Sequence, residues 1–402
     1  MGKREMKMRL GFHYHAPARP CSGGIFATNG PQGRFLESIA PYCEEVLCFL
    51  HSAVEGDVTE YVVRAPNIRW IDIGPHSSVP RRMLSARRSV DAVRAYRNSL
   101  DVMLVRGPSP LLPAVARAVD VPVILLLVGD QLAGIADVRG PVWRRELIRL
   151  FWLWNRHETL AVARNALVLA NSPELCRMLS GWGIPVQFAG TSNISATEFY
   201  FRGDTCQQAP FRLLYSGRMS REKVILDIVK AVGRLVADGW DVVLDLVGPQ
   251  MLGDSVVEDA LSLAMSIGIK SRIAYHGSKP PGPELFAFYE RADVFILASS
   301  SFEGFPRAVW EAMAHGLPVV ATRVGGIPKV LTHLETAILV EPKCPQGLAD
   351  GITLVLREGE LRRRLIQSGY KLAEENTLER RAEELMSMVE SFIDERRLAK
   401  RI

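Results

Sequence analysis

Val294-Phe295-Ile296-Leu297-Ala298 is an unbroken apolar run. It is followed by Ser299-Ser300-Ser301-Phe302-Glu303-Gly304-Phe305-Pro306, and then by Glu311-Ala312-Met313-Ala314-His315-Gly316-Leu317-Pro318-Val319-Val320. In order, this reads as a strand, a polar loop, a helix opened by a proline, and a second strand. Pro306 suits a first helical turn, where its missing N–H would be orphaned in any case. Apolar strands joined through helices make parallel sheets covered on both faces. The same alternation continues outward. Strands are expected at 213–216, 242–247, 272–276, 294–298, 319–321 and 338–340, and before them at 8–13, 46–49, 68–73, 102–105, 123–128 and 166–170. Helical stretches at 83–98, 143–164, 224–238, 284–291 and 307–315 lie in the gaps. The fold class is α/β, with two doubly wound Rossmann-like domains. Their expected bounds are 1–195 and 211–376, with a polar linker at 196–210. A C-terminal amphipathic helix follows at 377–402, with Leu385, Met386, Val389, Phe392 and Ile393 roughly along one face.

Composition narrows the function. The 402 residues are 48% hydrophobic and 23% charged, which excludes wholesale disorder. Six scattered cysteines without a C-x-x-C pair argue against a zinc ribbon, a thioredoxin-type site and a disulfide scaffold. The longest apolar stretch, 121–128, is shorter than the roughly 18–20 residues that span a bilayer. The charged opening 1–10 has no apolar core like that of a secretory signal, so a cytoplasmic chain is expected. Residues 1–200 hold 23 Lys and Arg against 17 Asp and Glu, a balance of +6, whereas residues 201–402 stand at −1. A basic half beside a neutral one calls for an anionic partner on one side. Nucleoside-triphosphate P-loop, dinucleotide, zinc-protease and nucleophile-elbow motifs are all missing.

The chemistry gathers in the second half. Gly217 turns the chain after the strand 213–216, and Arg218 and Lys223 flank the next helix start. Two cations at the carboxyl edge of a parallel sheet suit a diphosphate, although alone they read as ordinary solvated charge. Gly248 and the pair His276-Gly277 close two further strands at the same edge. Glu303 falls in the loop at a strand mouth and can accept from sugar hydroxyls. Glu311, inside the following helix, can accept from ribose hydroxyls. Gly325 and Gly326 permit close approach of backbone to a ligand.

In order and spacing, residues 216–328 resemble the nucleotide-sugar domain of the GT-B glycosyltransferases, specifically the large retaining family 4. The resemblance implies two domains facing a central cleft and a C-terminal helix crossing back to the first domain. It implies a nucleoside diphosphate sugar as donor substrate, with no metal and no cofactor. Arg218 and Lys223 would hold the diphosphate, Glu303 the transferred sugar and Glu311 the ribose, with Gly217, Gly248, His276, Gly277, Gly304 and Phe305 lining the donor. Gly23 and Gly24 resemble the family's glycine loop after the first strand. Many members carry a His at the end of a first-domain strand. Here that place reads Leu126-Leu127-Val128-Gly129-Asp130-Gln131, and Asp130 is the candidate to take part of its role. The late Asn/Asp-Gly of the family is replaced by 333–337, His-Leu-Glu-Thr-Ala. Alternatives are a nucleotide-sugar epimerase of the same fold and a catalytically inactive binding subunit.

The acceptor is expected to be a carbohydrate or a lipid-linked sugar, as in cell-surface polysaccharide or glycolipid synthesis. Arg139, Trp143, Arg144, Arg145, Arg149, Phe151, Trp152 and Trp154 mix cations and aromatics on one helical stretch. That suits weak peripheral contact with an anionic membrane at its inner face, or else a core-packing helix with solvated arginines. Arg81, Arg82, Arg87 and Arg88 read as a solvated helical face. No recognition motif points to nucleic acid.

Overall fold

The computed structural model describes residues 8–130, 132, 135, 141–250, 254–300 and 305–399. Glu303, Gly304, Gln131 and Arg139 lie outside the described residues. The chain forms two compact units, Met1–Gly190 with Glu379–Ile402, and Thr191–Leu378.

The first unit is built on β1 (Met8–Pro20), β2 (Phe26–Thr28), β3 (Cys43–Ser52), β4 (Tyr61–Val63), β5 (Ile68–Pro75), β6 (Val102–Gly107), β7 (Val123–Leu127), β8 (Leu167–Ala170) and β9 (Gln187–Phe188). The order β5-β3-β1-β6-β7-β8-β9 is parallel throughout. The far end of β1 runs on past its parallel partners and pairs antiparallel with β2, which pairs antiparallel with β4. The sheet is therefore mixed, and β2, β4 and β9 are strands the sequence pattern did not show. They span two or three residues each, too short to carry a period. The expected helix 83–98 is broken at Ser85 into Val79–Leu84 and Ala86–Arg94.

Alternate residues of each strand serve opposite cores. Val46, Cys48 and Leu50 of β3 face one, and Leu47 and Phe49 the other. The helix Leu378–Ala399 covers the first of these faces with Ala382, Leu385, Met386, Val389 and Ile393, spaced as one helical stripe.

The second unit holds β10 (Phe211–Ser216), β11 (Val242–Val247), β12 (Ile273–Tyr275), β13 (Val294–Leu297), β14 (Val319–Thr322) and β15 (Ile338–Val340). Their order, β12-β11-β10-β13-β14-β15, is all parallel and reverses direction at β10 and β13. In such sheets ligands bind outside the strand carboxyl ends at this reversal. Leu213 and Tyr215 enter one core and Leu214 the other. The helix Ile225–Ala237 seals one face with Ile225, Ile228, Val229, Val232 and Leu235.

The stretch 196–210, expected as a linker, is fastened to this unit. The Arg202 guanidinium donates to the carbonyls of Tyr289, Glu290, Ala292 and His315 at 2.8–3.0 Å. Three of these close the helix Pro283–Arg291, whose last carbonyls have no partner within the helix. Asp204 accepts from Arg362 at 2.6 and 3.0 Å.

Candidate active site

Three strand exits of the second unit touch through backbone. The Gly217 amide donates to the Val247 carbonyl at 2.9 Å, and the Gly248 amide to the Gly277 carbonyl at 2.8 Å. Gly248 has φ +137°, and a Cβ there would lie 1.9 Å from the Gly217 carbonyl oxygen. No side chain fits at Gly248, because the Gly217 peptide fills that place and the two exits pack backbone against backbone.

Arg218 is exposed beside this rim, and its carbonyl accepts from the Tyr215 hydroxyl at 2.9 Å. Lys223 ends the short turn Arg221–Lys223 and is buried. Both cations act on Glu222. Burial pushes the Glu222 carboxyl up, but hydrogen bonds within its turn and the charges of Arg218 and Lys223 outweigh it and hold the group below the usual carboxylate range. Val224, directly after Lys223, has φ 38° and ψ 45°. A β-branched residue there is strained, at a cost of order 1–3 kcal/mol. The Ser300 amide donates to the Glu222 carbonyl at 2.9 Å, tying the exit of β13 to the same turn. At that exit Thr322 Oγ1 accepts from the Ser299 amide at 2.8 Å and donates to its carbonyl at 3.0 Å. The mouth of β13 is thereby fixed at Ser299 and Ser300.

Past that loop, Phe305 stacks on Trp310 at 4.2 Å between centroids. Glu311 lies in the helix Ala308–Ala314 and is 5% exposed. Its Oε2 accepts from the Tyr289 hydroxyl at 2.7 Å. Burial first, and then the Glu311 charge, push the Tyr289 phenol well above its ordinary range, so it remains a donor. Tyr289 is a contact of Glu311 that sequence reasoning missed. It sits on a helix with no motif, and only packing brings it to Glu311. The His276 ring turns away from the rim, with Nε2 2.6 Å from Asp245 and the ring 4.7 Å from Phe288. Asp245 also meets Arg212 at 3.3 Å and Arg291 at 3.5 Å. What His276 leaves at the rim is its backbone.

The remaining candidates sit on the first unit. Gly23 and Gly24 follow one another at φ +79° and +78° in the turn Ser22–Gly24. Asp130 Oδ1 accepts from the Leu132 amide at 3.0 Å and lines a cavity with Trp152, Asn155, Arg156 and Trp182. Among the described residues, no group of three or more His, Cys, Asp and Glu is placed to hold a metal ion.

The family model of glycosyl transferases group 1 matches residues 198–372. The likeness to glycosyl transferases group 1 is confined to this segment, under half of the chain. The segment contains every rim residue just described. N-acetyl-alpha-D-glucosaminyl L-malate synthase from Bacillus anthracis is 31% identical over 182 residues, which is 45% of this chain and 44% of that protein. The chain spans less than two thirds of the length of the curated relatives it matches. Among solved structures, sucrose-phosphate synthase from Thermosynechococcus elongatus aligns with TM-score 0.71 and 21% identity, covering 96% of this chain and all of that one. Anabaena HepE in complex with UDP-glucose aligns with TM-score 0.69 and 17% identity, over 96% of this chain and 100% of its own. These likenesses establish the fold as GT-B, in agreement with the two doubly wound sheets expected from the sequence.

Proposed function

We propose that the chain is a glycosyltransferase that moves a sugar from a nucleoside diphosphate sugar to a carbohydrate or lipid-linked acceptor. The observation that carries this is the rim of the second unit. Three glycine exits locked backbone to backbone adjoin Arg218 and Lys223, and the buried Glu311 is held by Tyr289 on the same sheet edge. In this reading the peptide rim and the two cations take the diphosphate. Their charge counts most as the glycosidic bond breaks and the leaving group becomes more negative. Glu311 accepts from the ribose and Glu303 from the transferred sugar. No protein metal ligand enters the scheme, and the anomeric configuration is retained.

The acceptor side belongs to the first unit, and its long helix supports contact with an anionic membrane. On the helix Val142–Ala163, Trp143, Leu147, Leu150 and Trp154 are 50–65% exposed and recur at helical spacing. Arg144, Arg145 and Arg149 flank this stripe. The packed-helix alternative thus fits Trp152, which lines the first-unit cavity, but not Trp143 or Trp154. Among the described residues, no helix is long and apolar enough to cross a membrane.

The test is incubation with a panel of nucleoside diphosphate sugars, followed by product analysis. Release of nucleoside diphosphate with a glycosylated or free sugar supports the reading. Epimerised nucleotide sugar, or no turnover with any donor, overturns it.

A further inference from the structure

The first unit carries a second cluster at its own strand exits, and the reading above does not use it. His13 is the last residue of β1 paired with β6, and His15 follows two residues on. His51 lies at the end of β3, His76 directly follows β5, and Ser109 follows β6. Because the sheet order is β5-β3-β1-β6, these four exits are neighbours. Arg82 joins them from the helix Val79–Leu84. The sequence reading of Arg81, Arg82, Arg87 and Arg88 as a solvated face fails at Arg82, which is 7% exposed while the other three are exposed.

Several polar atoms here are buried without a partner: Arg82 Nε and Nη1, His51 Nε2 and His15 Nδ1. A guanidinium desolvated in this way is costly unless something pairs it. The chain's own carboxylates are already engaged. Asp57 takes His76 at 2.8 Å and the Val54 amide at 2.8 Å. Asp72 takes the amides of Ser52 and Gly74, with Arg88 at 3.6 Å. Arg106 lies over the Tyr14 ring and donates to Gln32. His13 is satisfied between the Phe49 carbonyl at 3.0 Å and Ser109 Oγ at 3.3 Å. His51 Nδ1 donates to the Gly74 carbonyl at 3.1 Å, so Nε2 of the neutral ring is a bare lone pair.

We propose that this cluster binds a phosphate group, with Arg82 donating from Nε and Nη1 and His51 donating from Nε2 after taking up a proton from solvent. One proton is gained per phosphate bound, and no covalent bond changes. The burial of the cluster suits this coupling. Burial first, and then neighbouring rings and the Arg82 charge, hold His51 at about 3 and His15 at about 3. An anion at Arg82 offsets the Arg82 charge and raises both, so binding tightens as pH falls from the bound-state value toward the free one. The site lies wholly in the first unit and does not depend on sugar transfer. Free phosphate and a phosphomonoester borne by a substrate share this chemistry.

The experiment is calorimetric titration of the full chain with inorganic phosphate and with glycerol 3-phosphate, each in two buffers of different ionisation enthalpy. Saturable binding with proton uptake is expected, retained in Arg218→Ala and weakened on the order of tenfold to a hundredfold in Arg82→Met. Arg82→Met keeps an apolar stem and removes a buried guanidinium whose Nε and Nη1 have no hydrogen-bond partner, so the fold should hold. If that variant does not fold, the proton count on the unaltered chain decides. Tighter binding of glycerol 3-phosphate assigns the site to a substrate-borne phosphate, and equal binding to phosphate of either source. No binding, binding without proton uptake, or binding lost in Arg218→Ala but kept in Arg82→Met overturns the proposal.

Discussion

The two units present the same feature, the carboxyl edge of a parallel sheet, built from opposite materials. In the second unit the edge is glycine backbone with the exposed Arg218 and the buried Lys223 close after the β10 exit. In the first unit the edge is lined by buried imidazoles and one buried guanidinium, drawn from strands far apart in sequence. A rim of glycines suits a long, flexible ligand with a charged middle. A buried cluster of imidazoles beside one arginine suits a compact anion. On the two proposals above, one architecture holds two anion sites of different shape, one made by the main chain and one by side chains.

The largest effect should come from breaking the second rim. Arg218→Ala is expected to lower transfer by about 3–4 kcal/mol in transition-state terms, with the fold intact. Glu303→Ala should abolish transfer similarly. Steady-state kinetics beside far-ultraviolet circular dichroism check both, and full activity in a folded variant removes that residue from the site.

Tyr289→Phe sharpens the comparison from within the rim. It takes one donor from a buried Glu311 carboxylate and should cost about 1–3 kcal/mol of stability. Nucleotide affinity should fall with it. Denaturant unfolding and a nucleoside diphosphate titration measure the two, and unchanged values in both would separate Glu311 from the donor.

Acid should distinguish the two edges. His13 is held at about 4, and His15 and His51 at about 3, chiefly by burial. Unfolded, all three take up protons near the ordinary histidine value of about 6.5. Below that value the unfolded state binds more protons, so stability falls as pH drops from about 6.5 toward 4. Hydrogen exchange should show β1 and β3 losing protection in this window before β10 and β13. Equal loss in both sheets would contradict the burial of these rings.

How far these sites could be read from sequence follows from the same contrast. The second sheet was legible because its strands are continuous apolar runs, and Leu213-Leu214-Tyr215 must be apolar on both faces. Gly217, Arg218, Lys223 and Glu311 were legible because they lie at fixed offsets from those runs. Tyr289 was not, since a tyrosine on a helix reads as core until its partner is known. The histidine cluster was hidden for a stronger reason. His13, His51 and His76 become neighbours only through strand order, and Arg82 was masked by three solvated arginines around it. The helix Gly30–Ile39 escaped because Gly30, Pro31 and Gly33 read as loop, yet Asn29 caps it by accepting from the Gln32 amide.

The smallest expected effect concerns the exposed stripe. Trp143→Glu with Trp154→Glu should reduce co-sedimentation with anionic vesicles at low salt and leave turnover of a water-soluble acceptor unchanged. Vesicle binding that is absent in the unaltered chain would remove the membrane from the account.

The central claim is that the glycine rim with Arg218 and Lys223 is a diphosphate site. Calorimetric titration of the unaltered chain and of Arg218→Ala/Lys223→Ala with a panel of nucleoside diphosphates tests it most directly. Saturable binding of at least one nucleotide to the unaltered chain is predicted, lost in the double variant while phosphate binding at the first unit persists. Undiminished nucleotide affinity in a folded double variant would contradict it.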